Sequence, residues 1–174
     1  VREKLEYANP ETGTKITILP DSEFSVNTLI SYDSPYLAMQ YANYNESDMN
    51  YATEVAPCRT FVFLREVEPL LAAGLIKGGD LSNAIVIVDK EISSEDIARL
   101  CEKFGYENLE VQQGVLNTIK LQFNNEPARH KMLDLIGDLA LCGRFFKGRV
   151  IAERSGHKAN TAMAKKIMAK IAAT

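Results

Sequence analysis

The chain has 174 residues, of which 46% are hydrophobic and 25% are charged, and its formal net charge is −3. These values are typical of a globular protein and, because no basic block is present, they argue against nucleic-acid binding. No apolar run is long enough to span a membrane, no signal-peptide pattern is present, and three widely spaced cysteines favour a reducing cytoplasm over a disulfide framework.

The opening part of the chain predicts β-structure followed by one short helix. Four runs have strand character: VREKLEY, KITILP, FSVNTLISY and YLAMQYANY. Asn9, Pro10 and Gly13 lie between the first two runs and are typical turn residues. Ser47 is a candidate N-cap for a short helix that ends before Pro57.

The pattern in the middle of the chain predicts a βαβ insertion and a further helix. RTFVFL and AIVIVD have the character of short strands, and the helix predicted between them has Pro69 in its first turn and Gly74 at its end. This pattern indicates a βαβ insertion over about residues 61–88. A further helix, SSEDIARLCEKFG, begins with a serine cap and ends at Gly105.

The closing part predicts strands that alternate with helices. NTIKLQF and GRVIAERS are the strands, one helix has Pro127 in its first turn and stops at Gly143, and a last helix covers 159–172. Strands outnumber helices and the early connections resemble hairpins. We therefore predict that residues 1–174 form one α+β domain, a two-layer sandwich of a mostly antiparallel sheet with helices on one face.

One predicted helix, ARHKMLDLIGDLALCG, is apolar around most of its circumference but carries a narrow polar stripe. At about 100° per residue, His130, Lys131, Asp134 and Asp138 fall within an arc of roughly 100°. The stripe has three interpretations: a solvated face, a structural hydrogen bond between His130 and Asp134, or a cation site. Because the rest of the helix is apolar, we expect this stripe to face a cleft.

The cation interpretation rests on ligand chemistry. A histidine and an aspartate four residues apart project from consecutive turns, and Zn²⁺ accepts imidazole nitrogen and carboxylate oxygen. Asp138, one turn further on, is then placed to orient another group. The chain has one other histidine, His157, in RSGHKAN. It is either a surface-loop residue or, with Gly156 allowing a close turn, a third ligand or general acid.

These motifs together resemble a known family. Four blocks in this order are similar to the signature of UDP-3-O-acyl-N-acetylglucosamine deacetylase. They are CRTFVFLREVEPLLAAGLIKGGDLSNAIVIVD, NEPARHK, ARHKMLDLIGDLALCG and RSGHKAN, of which the second and third overlap. Members of that family are zinc hydrolases of lipid A biosynthesis. The resemblance extends from about Val1 to about Asn160.

The resemblance assigns roles to residues of the polar stripe. It implies that His130 and Asp134 are zinc ligands and that Asp138 orients His157. It also implies that His157 stabilises the oxyanion and protonates the leaving amine.

Two further roles follow from the resemblance. Lys131 matches a lysine that contacts the substrate, and Thr60 matches a threonine whose hydroxyl helps to bind the oxyanion. The βαβ insertion matches a hydrophobic passage for the acyl chain. Its candidate wall residues, for which ordinary packing is an equal alternative, are Leu64, Val67, Leu71, Ile76 and Val86.

The sequence also departs from the family pattern. Family members have two similar domains, and the first domain supplies a further histidine ligand and a glutamate base. No segment of this sequence matches the part of the family pattern that contains that histidine and glutamate. We therefore expect the chain to be the second domain, inactive alone and prone to self-association. The segment at about 89–115, which contains the further helix, is a second insertion and resembles the form fused to a 3-hydroxyacyl-dehydratase. The competing class is a non-catalytic α+β binding or regulatory domain with a structural His/Asp network.

Overall fold

The computed structural model describes residues 1–72 and 84–172, and these residues form two separate sheets. The strands are β1 Leu5–Asn9, β2 Thr14–Leu19, β3 Phe24–Ser31, β4 Met39–Asn45, β5 Phe61–Phe63, β6 Ile85–Ile87, β7 Val111–Gln112, β8 Val115–Leu116 and β9 Gly148–Glu153. The helices are α1 Tyr51–Glu54, α2 Leu64–Ala72, α3 Ser94–Phe104, α4 Glu126–Ala140 and α5 His157–Ala172. No helix within the described ranges combines the length and apolarity that crossing a membrane requires.

The chain divides into two compact units, each built around one of the sheets. The first unit comprises Val1–Ser31, Met39–Cys58 and the chain from Ala128 onward. The second comprises Tyr32–Ala38 and Arg59–Pro127, and so contains both predicted insertions. The assignment of all residues to one domain remains a prediction.

The first unit contains a five-stranded sheet in the order β1-β2-β9-β3-β4. Three of its strand pairs are antiparallel, and only the pairing of β3 with β9 is parallel. Buried and exposed side chains alternate along β2 and β9, so the sheet has one covered face. Helix α5 packs against β1 and β2, and the Thr28 hydroxyl on β3 donates to the Ala128 carbonyl on α4. The predicted α+β fold is confirmed.

The second unit contains a four-stranded sheet in the order β5-β6-β8-β7. Strands β5 and β6 are parallel, with Phe61 opposite Ile85, so the predicted βαβ connection is confirmed by its flanking strands. Helix α2 begins at Leu64, which makes Pro69 an interior residue rather than a first-turn residue. The predicted helix end at Gly74, and the candidate wall residue Ile76, lie outside the described residues.

Helix α3 in the second insertion has the predicted boundaries. The Ser93 hydroxyl accepts a hydrogen bond from the Asp96 backbone N–H, and Gly105 ends the helix in the left-handed conformation with φ of 74°. Leu100 of this helix is buried in a core that also contains Val67 and Val86. Those two side chains are 1% and 0% exposed, so they pack inside the unit and do not line an open passage.

Two sequence-based predictions of local structure are wrong. The short helix starts at Tyr51 because Asn50 caps it, whereas the Ser47 hydroxyl bonds to other side chains. NTIKLQF is not a strand, because the Asn117 side chain and backbone both bond to Glu110 and close the end of the β7–β8 hairpin.

Candidate active site

Helix α4 buries one face and leaves its polar stripe on another. Ala128, Met132, Leu135 and Leu139 are buried, and at about 100° per residue they fall within roughly 60° of one another. The centre of this face lies roughly 120° around the helix from the centre of the polar stripe. The polar stripe therefore lies away from the main apolar face, and its own four side chains are also largely covered, with exposed fractions of 12% to 20%.

His130 and Asp134 lie side by side in the stripe. The Nε2 atom of His130 is 3.4 Å from Oδ1 of Asp134, and the two side chains are 15% and 12% exposed. The other ring nitrogen, Nδ1, lies 3.2 Å from the carbonyl oxygen of Cys58. A carbonyl only accepts hydrogen bonds, so Nδ1 carries a proton and Nε2 faces the carboxylate. This degree of burial excludes a freely solvated face.

The donor set of this pair fits two states. In the first, an imidazolium donates from Nε2 to the carboxylate. In the second, a neutral imidazole and a carboxylate share a cation, and nitrogen with oxygen ligands suits Zn²⁺. The Cys58 carbonyl fixes the tautomer that such a ligand needs, as backbone carbonyls do for metal-binding histidines. The residues therefore fit two positions of a zinc site.

A third ligand is not found among the residues that the structure describes. No group of three or more His, Cys, Asp and Glu side chains is suitably placed for a metal ion in residues 1–72 and 84–172. His157 therefore does not complete a self-contained three-ligand site with His130 and Asp134. Cys58, Cys101 and Cys142 form no disulfide bond.

Lys131 contacts the second oxygen of the same aspartate. Its Nζ lies 3.0 Å from Oδ2 of Asp134, and the lysine side chain is 20% exposed. The carboxylate is thus held between His130 on one oxygen and an ammonium on the other. This contact restricts rotation of the carboxylate and leaves a positive charge beside the pair.

Asp138 and His157 form a second pair, on two different helices. The Nδ1 atom of His157 lies 2.8 Å from Oδ2 of Asp138, and the exposed fractions are 70% and 16%. Because the ionised carboxylate only accepts hydrogen bonds, Nδ1 carries the proton and Nε2 is the ring nitrogen left for chemistry. His157 is the first residue of α5 and not a loop residue, because the helix already closes with Asn160 N–H donating to Gly156.

Asn160 joins this pair, and sequence reasoning missed it. Its Nδ2 donates to Oδ2 of Asp138 at 2.9 Å, and the residue is fully buried. Asn160 follows His157 by three residues, so both side chains lie on the same side of the first turn of α5. The three-residue spacing between His157 and Asn160 at the start of a helix is the feature of the sequence that could have identified Asn160 as a partner of the same site.

Thr60 lies in the second unit, directly before β5. Its backbone carbonyl accepts a hydrogen bond from the Ile85 N–H at 2.8 Å. The residue before it, Arg59, is held by Glu126, whose carboxylate bonds to the Arg59 backbone and guanidinium. The backbone on both sides of Thr60 is therefore fixed, while its role in binding an oxyanion remains a prediction.

Glu126 is a fully buried carboxylate with a complete set of donors. Burial by itself raises its pKa, but hydrogen bonds from Arg59 and from the Gln122 N–H outweigh burial and hold the pKa below its ordinary value. Glu126 therefore stays ionised at neutral pH and anchors the segment that leads to Thr60.

The family follows from comparison of the sequence with known proteins. Residues 1–104 and 108–169 match the sequence model of the family described as UDP-3-O-acyl N-acetylglycosamine deacetylase, LpxC. These two ranges contain His130, Asp134, Asp138 and His157. The chain therefore belongs to the LpxC family.

Relatives with assigned names include both fused and single-function proteins. The chain is 47% identical over 172 residues to the "Bifunctional enzyme LpxC/FabZ" of Bacteroides thetaiotaomicron, covering 98% of this chain and 37% of that protein. It is 41% identical to the protein of the same name from Chlorobaculum tepidum, covering 96% and 36%. It is 35% identical to the UDP-3-O-acyl-N-acetylglucosamine deacetylase of Chlamydia caviae, covering 89% and 48%. The chain thus spans less than half the length of each relative.

Proposed function

We propose that the chain is part of a zinc-dependent amide hydrolase that removes the N-acetyl group from UDP-3-O-acyl-N-acetylglucosamine in lipid A biosynthesis, in the cytoplasm. Family membership and the relatives named as deacetylases support this activity. The observation that carries the chemistry is the His130–Asp134 pair, because it presents nitrogen and oxygen side by side with a fixed tautomer.

His130 Nε2 and Asp134 Oδ1 are the two atoms that would hold the zinc ion. When bound, Zn²⁺ supplies Lewis-acid activation of an amide carbonyl and of a water nucleophile. Lys131, bonded to the second oxygen of Asp134, keeps that carboxylate in one orientation and supplies positive charge near an anionic substrate.

His157 is the proton carrier in this proposal. Asp138 accepts from Nδ1, so Nε2 of His157 is the atom that holds a proton and transfers it to the departing amine. The high exposure of the ring suits a group that must reach substrate. The Thr60 hydroxyl donates to the developing oxyanion, which is the role of a hydrogen-bond donor in such sites.

The isolated chain is inactive in this proposal. The family resemblance assigns a third zinc ligand and the general base to a first domain, which would be a partner within the same protein. Losing a general base costs about 10²–10⁴-fold in rate. A downstream 3-hydroxyacyl-dehydratase domain is a further proposed partner, supported by the relatives named bifunctional LpxC/FabZ.

The test uses the natural full-length protein that contains this chain. Acetate release from the acylated UDP-sugar and bound zinc are measured for the wild type, His130→Ala and His157→Gln. We expect His130→Ala to lose both zinc and activity. His157→Gln is the matched control, since it should lose about 10²–10⁴-fold in activity and keep its zinc. A His130→Ala protein with normal zinc and normal turnover would refute the proposal.

The second candidate is a non-catalytic binding or regulatory domain with a structural His/Asp network. One observation favours it: Asp134 already contacts His130 on one oxygen and Lys131 on the other, an arrangement that is satisfied without metal. In that case the wild-type protein holds no zinc and releases no acetate, and His130→Ala lowers only its thermal stability.

A further inference from the structure

We propose that Asn160 is a positioning residue that acts on His157 through Asp138. The catalytic consequence rests on the function proposed above, whereas the positioning itself does not. Asn160 donates from Nδ2 to the same oxygen, Oδ2 of Asp138, that accepts from Nδ1 of His157. One carboxylate oxygen thus receives two hydrogen bonds, at 2.9 and 2.8 Å.

The two donors leave Asp138 little freedom. A carboxylate oxygen has two lone pairs, so the Asn160 amide and the His157 imidazole together occupy Oδ2. The Asn160 donor therefore holds the carboxylate in the plane that His157 needs. Both donors come from the first turn of α5, where the positive end of the helix dipole also favours an anion.

Asn160 is poorly explained by a purely structural role. Its side chain is fully buried, and its Oδ1 has no hydrogen-bond partner among the described residues. An unsatisfied buried acceptor is costly, so an apolar side chain of similar size would serve the core at least as well. The amide is useful because its other end, Nδ2, reaches Asp138.

Without that donor, Asp138 keeps one partner at Oδ2 and gains freedom to rotate or to accept elsewhere. His157 is mostly exposed, and among the described residues Asp138 is the one group that bonds to its ring nitrogens. The tautomer with the proton on Nδ1 then loses its preference over the tautomer with the proton on Nε2. After Nε2 gives its proton to the departing amine, the proton that remains on the ring lies on Nδ1, so weaker support at Nδ1 lowers turnover and not substrate binding.

The test compares Asn160→Leu with the wild type in the natural full-length protein. The first readout is the ¹⁵N chemical shifts of selectively labelled histidine, with the His157 signals identified by their absence in His157→Gln. The second is kcat and KM for acetate release. We expect a smaller Nδ1–H population for His157, a kcat lower by about 10–100-fold, and unchanged KM and zinc content.

Two further variants keep the test decisive. Asn160→Ala repeats the loss of the donor if the leucine variant does not fold. Ile167→Val is the control for packing, because Ile167 is buried on the same helix two turns beyond Asn160 and does not contact Asp138. It should leave the His157 signals unchanged. Wild-type ¹⁵N shifts in both Asn160 variants would overturn the proposal. A tautomer change in a protein without deacetylase activity would uphold it and refute the proposed function instead.

Discussion

The start of helix α4 and its middle turns carry carboxylates in different surroundings. Glu126 at the start is fully buried, and its partners are the donors of Arg59 and the Gln122 N–H. Asp134 and Asp138 in the middle are 12% and 16% exposed, and each lies beside a histidine ring. A carboxylate surrounded by donors of the fold is structural, whereas we propose that the two carboxylates beside imidazoles take part in the chemistry of the site.

The two histidine pairs differ from each other in a similar way. His130 is mostly buried, and its Nδ1 is held by a backbone carbonyl. His157 is mostly exposed, and its Nδ1 is held by a carboxylate. The first arrangement suits a fixed ligand, and the second suits a group that exchanges a proton with substrate. In the function proposed above, these different partners give the same pair of residue types two different roles.

The largest expected effect separates Asp134 from Asp138. In the natural full-length protein, Asp134→Asn should remove bound zinc and lower kcat/KM by about 10³-fold, since a catalytic metal contributes several kcal/mol. Asp138→Asn is the same chemical change one turn away. It should keep the zinc and lower kcat/KM by about 10–100-fold. Steady-state kinetics and zinc analysis of both variants make the comparison. Equal zinc loss in the two would contradict the separation of roles.

An effect of comparable size, on stability, tests the start of the helix. Arg59→Met should lower the free energy of unfolding by about 3–5 kcal/mol, because it leaves the buried Glu126 charge without its main partner. Arg99→Met is the control, since the Arg99–Asp96 pair is exposed and contributes about 0–1 kcal/mol. Urea unfolding measures both. If the two variants lose the same stability, Glu126 is not the structural carboxylate described above.

The smallest effect is the pH dependence that Glu126 confers. Its folded pKa lies below the ordinary value of 4.5, so the unfolded state binds the proton more readily. The contribution of ionised Glu126 to the free energy of unfolding is complete above pH 4.5. It is lost as the pH falls through the lowered folded pKa. Unfolding free energies between pH 3 and 6 should therefore fall less steeply with acid in Glu126→Gln than in the wild type. Identical slopes would contradict the assignment.

Local signals predicted much of the fold. Ser93 and Gly105 mark both ends of α3 in the sequence, and hydrophobic alternation marks the strands of the five-stranded sheet. The failures have tertiary causes. Ser47 has the right chemistry for a helix cap, but Asn50 takes that position. The composition of NTIKLQF is that of a strand, but the hydrogen bonds between Asn117 and Glu110 end the strand there.

The site was predictable where its residues share one helix. His130, Asp134 and Asp138 follow from helical spacing alone, and the resemblance added His157. The contacts that define their roles come from elsewhere in the chain: the Cys58 carbonyl is 72 residues from His130, and Asn160 is 22 residues from Asp138. No local pattern encodes such contacts, because they exist only after the helices pack.

The central claim is that His130 and Asp134 share a zinc ion. The most direct measurement is anomalous diffraction at the zinc edge from crystals of the natural full-length protein. The account predicts one strong peak bonded to Nε2 of His130 and to an oxygen of Asp134, at about 2.0–2.2 Å from each. A zinc-replete crystal with no peak there, in which Nε2 of His130 still lies 3.4 Å from Oδ1 of Asp134, would contradict it.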